Sequence, residues 1–237
     1  MNDRQQPNRR WVTSSAWHRG LSLGLSLAIA VVILAISSRS NATNPPEAWW
    51  TRVDYASALL QSAETGSTWQ RAGEFSVLQA STGCLWMDTR TKPLAYLSLS
   101  VSKFDSKVGS TAEIRLKALA TPKEEINGFV FSLLDGRREG KISFRKDYLL
   151  IADINQVKAT YKIDTHDFHT YRLTLVGNDF EVYVDGRLAA EATLTQSTGD
   201  KRLQLGDYAV GDTEMAALVD YVAYYTGGAV PPGSSHP

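Results

Sequence analysis

Two carboxylates, Glu181 and Asp185, stand four residues apart around Tyr183 in the stretch "EVYVD". Paired carboxylates flanking a glycosidic bond hydrolyse it, one as acid and the other as base or nucleophile. On a strand, residues i and i+4 share a face but lie about 13 Å apart. That exceeds the roughly 5–5.5 Å of a retaining pair and the roughly 6.5–9.5 Å of an inverting pair. The turn formed with Gly186 also accounts for Asp185. His166, Asp167 and His169 supply two of the three residue types of a Ser-His-Asp site, but closeness in sequence is not geometry. His169 opens a strand, where its imidazole is expected to bond to backbone. The glycines of "GDYAVGD" punctuate turns, with no Lys-Ser/Thr and no following helix, so no phosphate loop is present. Cys84 is the only cysteine. It rules out an intramolecular disulfide and a multi-cysteine zinc site, and reads as a buried, inert thiol.

Sugar recognition uses an aromatic platform beside polar groups. Arg172 and Tyr183 meet this description if "HTYRLTLVGNDFEVYVDG" folds as a hairpin around Gly177-Asn178. Glycine suits the first position of a type II′ turn. Val176 then pairs with Asp179, Leu175 with Phe180, Leu173 with Val182 and Tyr171 with Val184. Thr174 pairs with Glu181, and Arg172 with Tyr183, on the opposite face. A slip of one residue would set apolar against polar at every rung, so the register is specified. Asp185-Gly186 turns the chain again and brings Tyr183 near Leu188. Trp86, in "CLWMDTR" beside Asp88, offers a second platform. The competing reading makes Arg172 and Tyr183 a surface cross-strand stack and Trp86 a core residue.

The surrounding elements read as strands. Ile114, Leu116 and Ala118 alternate with Glu113, Arg115 and Lys117. Val157, Ala159, Tyr161 and Ile163 alternate with Lys158, Thr160 and Lys162. Ile142 and Phe144 oppose Ser143 and Arg145. Ala217, Val219, Tyr221, Ala223 and Tyr225 are expected on one face. This alternation suits half-buried antiparallel strands. With turns at Asp135-Gly136, Gly177-Asn178, Asp185-Gly186 and Gly206-Asp207, about a dozen short strands predict an all-β, two-sheet antiparallel sandwich. "EAWWTRVDYASALLQSA" reads as a short helix, with Trp49, Val53, Ala56 and Leu60 near a spacing of four, or as irregular chain. Trp49-Trp50 reads as a cover over one end of the sandwich, or as an interfacial anchor or sugar platform.

The phrase "FHTYRLTLVGNDFEVYVDGRL", with "RLQLGD" and "ALVDYVAYY" after it, resembles the central hairpin and closing strands of concanavalin A-like, laminin-G-like jelly rolls. The resemblance spans roughly residues 70–226. It implies two stacked antiparallel sheets, one concave, and a family that holds lectins, glycoside hydrolases and adhesion modules. The Glu-x-Asp-x-Glu pattern of its glucanases is absent. Laminin-type members often bind calcium at the rim, and Asp207, Asp212 and Glu214 offer three oxygen donors where calcium wants six to eight. An exposed acidic loop explains the same residues. The reading is a binding module without catalytic machinery or cofactor, its first ligand a polysaccharide or glycan. The alternatives are a structural or adhesion module with a protein partner, and a glycoside hydrolase or lyase with unrecognised carboxylates.

Residues 1–20 form a basic leader, and residues 21–38, "LSLGLSLAIAVVILAISS", carry no charge. Eighteen helical residues span about 27 Å, close to a bilayer core. The arginines before the run place the chain beyond Arg39 outside the cytoplasm. The run is either an uncleaved anchor or a signal cleaved near Ala42. Residues 39–68 are read as linker with the possible helix, 69–226 as the sandwich (a concanavalin A-like jelly roll preceded by an N-terminal membrane helix) and 227–237 as a flexible tail. From Thr43 onward the chain has 20 basic and 24 acidic residues, a net charge of −4. Such a balance argues against nucleic acid as a partner.

Overall fold

The computed structural model describes residues 48–66, 68–90, 92, 94–121, 128–208 and 215–234. The chain divides into Met1–Asn44, outside the described residues, and Pro45–Pro237, which holds the elements described here. The apolar run 21–38, the cleavage position at Ala42, and Asp212 and Glu214 therefore lie outside the described residues. Among the described residues no helix is long and apolar enough to cross a membrane.

The hairpin at Gly177-Asn178 forms in the expected register. Tyr171, Leu173, Leu175 and Val176 pair with Val184, Val182, Phe180 and Asp179, and Arg172 and Thr174 with Tyr183 and Glu181. Gly177 takes φ 62, a left-handed value that a type II′ turn requires at its first central position. Asp185 and Gly186 are both left-handed, φ 49 and 79, as a type I′ turn demands, and Tyr183 pairs onward with Leu188.

Strands are numbered in chain order. An 8-stranded sheet runs β13 (Arg187–Thr193), β12 (Asp179–Val184), β11 (His169–Val176), β6 (Ser110–Ala120), β15 (Ala216–Tyr225), β4 (Cys84–Asp88) and β3 (Val77–Ser81). β1 (Arg52–Tyr55) also pairs with β15. A 7-stranded sheet runs β10 (Val157–Lys162), β9 (Tyr148–Ala152), β8 (Glu139–Phe144), β7 (Phe129–Asp135), β14 (Lys201–Asp207), β5 (Tyr96–Ser100) and β2 (Trp69–Ala72). Every pairing is antiparallel. A single helix among the described residues, α1 (Ala56–Thr65), ends at the left-handed Gly66. It is shorter than the spacing from Trp49 predicts, because residues 52–55 are drawn into β1, which extends the sheet N-terminal to residue 69.

Between the sheets lies one core. It joins Ile114, Leu116, Leu173, Leu175, Phe180 and Val182 of the first sheet to Phe129, Phe131, Leu133, Ile142, Phe144, Leu203 and Leu205 of the second. β15 departs from the alternation expected of it. Its pairing with β6 shifts between Val219 and Tyr221, and the extra residue reverses the strand's faces. Ala217 and Val219 point into the core, and so does Val222, with Tyr224 packed against it. Tyr221 and Ala223, with Tyr225 beside them, join a small second cluster on the outside. Val157 likewise leaves the face of Ala159 and Tyr161, because β10 shifts register there against β9.

Candidate functional site

Each sheet has an outward face, and the two are built differently. On the 8-stranded sheet, Arg172 of β11 lies opposite Glu113 of β6. Its Nε donates to Glu113 Oε2 at 2.7 Å, and the two side chains are 7% and 6% exposed. Tyr221 Oη donates to Glu113 Oε1 at 2.7 Å. Burial, then the Glu113 charge, pushes that phenol well above its ordinary range. The Arg172 guanidinium lies 5.1 Å from the Trp50 ring and 5.5 Å from the Trp49 ring. The two indoles stack at 4.2 Å, and Trp49 meets Tyr225 edge-on at 4.9 Å. Trp49-Trp50 therefore covers this part of the sheet, and the cation that sequence reasoning offered to a sugar is already engaged.

Tyr183 is neighbour to Arg172 in register but only 8% exposed. Its hydroxyl donates to Glu181 Oε2 at 2.6 Å, and Thr174 Oγ1 donates to the same oxygen at 3.0 Å. Glu181 lies opposite Glu191 of β13. The two, with Asp179 and Thr193, line a cleft of about 420 Å³. Trp86, half-buried on β4, is four strands away from Tyr183 in the sheet order, about 19 Å at ordinary strand spacing. The structure therefore brings Arg172 and Tyr183 together and leaves Trp86 apart.

The hydrolytic arrangements weighed from sequence resolve into separate structural roles. Asp185 Oδ2 accepts from His169 Nδ1 at 2.6 Å, and Asp185 Oδ1 from the Thr170 amide at 2.9 Å. His169 Nε2 bonds the Asp164 carbonyl at 3.0 Å. Both ring nitrogens face acceptors, an arrangement that favours the imidazolium, and the hydrogen bond to Asp185 raises the His169 pKa. The imidazole clasps the ends of two turns and has no nitrogen left for a nucleophile. His166 is exposed and bonds Asp164 Oδ1 at 3.2 Å. Burial raises the Cys84 thiol pKa, consistent with an unreactive sulfur. Among the described residues no group of His, Cys, Asp or Glu side chains is placed to hold a metal ion.

On the 7-stranded sheet, Leu203 and Leu205 of β14 point into the core. Arg202, Gln204 and Gly206 point out, and Tyr208 lies two residues on. Cα register sets Gln204 between Ser98 of β5 and Ser132 of β7, and Ser132 opposite Lys141 of β8. One polar row, Ser98–Gln204–Ser132–Lys141, thus crosses four strands. Gln204 and Ser132 are 2% and 1% exposed, yet Gln204 Nε2 and Ser132 Oγ have no hydrogen-bond partner among the described residues. Arg202 Nε shares that condition, although Arg202 also pairs with Asp200 at 3.1 Å. A buried polar atom left unpaired costs about 1–3 kcal/mol, a cost that an ordered water or a ligand atom would relieve.

Beside the row, Tyr96 and Tyr208 meet edge-to-face at 5.4 Å, and Tyr208 is 41% exposed. Gly206 makes this rim possible. Its φ is 130, and a Cβ there would stand 2.6 Å from the Ala95 carbonyl oxygen and 2.7 Å from Tyr96 Cα. Sequence reasoning missed this face. The signal was the outward period-two series Arg202, Gln204, Gly206, Tyr208 inside "RLQLGDY".

No protein-family description and no curated protein matches the sequence. Solved structures do match in fold. One is an alginate lyase of polysaccharide lyase family 7 (12% identity, TM-score 0.52, 72% of this chain and 98% of that one). Another is the Crh5 transglycosylase in complex with NAG (15% identity, TM-score 0.52, 76% and 84%). A third is a carbohydrate esterase from a Shiga toxin-encoding bacteriophage (16% identity, TM-score 0.51, 74% and 97%). These matches show the fold alone, a two-sheet antiparallel β-sandwich, which fits the resemblance to concanavalin A-like jelly rolls.

Proposed function

We propose that the sandwich is a carbohydrate-binding module that holds its ligand on the outward face of the 7-stranded sheet. The observation that carries this reading is the adjacency of Gln204 Nε2 and Ser132 Oγ, buried and unpartnered among the described residues, beside the Tyr96–Tyr208 rim. Aromatic faces stack on the apolar face of a pyranose, and an amide and hydroxyl beneath them meet ring substituents. The carbohydrate chemistry named for the structural neighbours supports the choice of ligand class. The basic leader and uncharged run 21–38 support placement outside the cytoplasm, tethered or released.

A glycan array probed with the full-length chain tests the reading. Binding to at least one polysaccharide class, weakened by Gln204→Ala, is expected. Binding to protein partners alone would favour the adhesion role, and release of reducing ends lost with one carboxylate would make the protein a hydrolase. The cleft of about 420 Å³ beside Tyr183 supports a second location, where Glu181 and Glu191 accept from sugar hydroxyls. It falls within the roughly 300–1,000 Å³ of ordinary ligand sites. Binding that Glu181→Gln abolishes and Gln204→Ala leaves intact would move the site there.

A further inference from the structure

Among the described residues, three other than glycine are left-handed: Thr82, Leu94 and Asp185, with φ 48, 59 and 49. Thr82 and Asp185 each precede a left-handed glycine in a two-residue turn, one between the paired Ser81 and Cys84, the other between the paired Val184 and Arg187. Both positions of such a turn demand that conformation. Leu94 has no such reason, since Ala95 follows it and β5 begins at Tyr96. A bulky residue with positive φ is a genuine outlier, and glycine or asparagine holds the same backbone with less strain.

The conformation is fixed from both sides. A Cβ on Gly73 would overlap the Leu94 carbonyl oxygen, and one on Gly206 would overlap the next carbonyl, that of Ala95. The Asp207 amide donates to the Ala95 carbonyl at 2.9 Å. Strain held by its surroundings in this way clusters at ligand sites. The leucine side chain does not serve the core, because it is 40% exposed while Ala95 beside it is fully buried.

Its place on the sheet shows what it accompanies. Tyr96 lies opposite Gly206. The Asp207–Ala95 bond carries that register one step on, and a further step sets Leu94 opposite the exposed Tyr208. Leu94 therefore extends the Tyr96–Tyr208 rim with a branched aliphatic group. Phenol rings suit the flat apolar face of a pyranose, whereas a leucine has no ring face and suits a group on the sugar's edge. A methyl buried against it is favourable, and a hydroxyl in the same place gives up water for no partner. Resting on the glycan-binding reading, we infer that Leu94 is a specificity-determining residue of the rim. The sugar it meets carries a methyl group, C6 of a deoxyhexose or the methyl of an acetyl substituent.

Titration calorimetry on the full-length chain tests this with two probe pairs. One is a D-rhamnan oligosaccharide beside the matching D-mannan, the other an acetylated xylan oligosaccharide beside the same chain after de-esterification. At least one methyl-bearing probe should bind about tenfold more tightly than its partner, and the two pairs separate deoxy sugar from acetyl group. Leu94→Gly and Leu94→Asn should each abolish that preference. Thermal unfolding should meanwhile give midpoints no lower than that of the parent chain, because both residues suit φ 59. A lower midpoint in both variants, or a preference that survives them, overturns the inference. Glycan binding without preference for either methyl-bearing probe overturns it too, while the binding reading stands. If no glycan binds, both fall.

Discussion

The outward faces of the two sheets use similar residue types to opposite ends. On the 8-stranded sheet the central charges are matched, Arg172 to Glu113 with Tyr221 completing the carboxylate, under a cap of two indoles. On the 7-stranded sheet an amide, a hydroxyl and a guanidinium nitrogen are buried without partners among the described residues. A buried ion pair is stable only while whole, because removing one partner strands the other. An unmet donor is a standing cost that a ligand can relieve. The indole N–H groups of Trp50 and Trp86 on the first face are also buried without partners among the described residues, so what sets the second face apart is that its unmet amide and hydroxyl are cross-strand neighbours beside the Tyr96–Tyr208 rim.

The largest expected effect breaks the matched face. Arg172→Met leaves Glu113 buried without its cation and should cost about 3–5 kcal/mol of stability, measured by urea unfolding. The double variant Arg172→Met, Glu113→Gln should recover much of that loss. Glycan affinity in folded protein should not change.

Gly206→Ala is the corresponding blow to the second face. It forces a side chain onto φ 130 and against the Ala95 carbonyl. A loss of about 1–3 kcal/mol is expected, together with weaker glycan binding as Tyr96 is pushed away from Tyr208. Stability and affinity fall together here, whereas they separate at Arg172.

The smallest effect is a pH dependence at the His169–Asp185 clasp. The His169 pKa is raised above 6.5, chiefly by its hydrogen bond to Asp185. Its stabilisation is therefore complete below pH 6.5 and is lost as pH rises through the higher folded-state value. Urea midpoints between pH 5 and pH 9 should show a fall on the alkaline side that His169→Gln removes.

Much of the architecture was legible because one physical rule, the period of two, governs it. The β11–β12 pairing could be read from the hydrophobic pattern and one turn glycine, rung by rung. The rule failed at β15, where the bulge after Val219 turned Tyr221 and Ala223 outward, since one extra residue leaves no mark in composition. The site was less legible. Arg172 and Tyr183 are adjacent as expected, but Glu113 and the Trp49-Trp50 cap come from strands and chain far away in sequence. Glu191 went unweighed for the same reason, because only the β12–β13 register sets it against Glu181. The polar row of the other sheet draws on β5, β14, β7 and β8, four segments that no sequence window joins.

Gln204→Leu most directly tests the idea that the unmet polar row exists to hold a glycan. Leucine removes a buried, unpaired amide, so thermal unfolding should show a protein more stable by about 1 kcal/mol. Calorimetry on the same sample should show glycan affinity reduced tenfold or more. Unchanged affinity, with or without the gain in stability, would contradict the account.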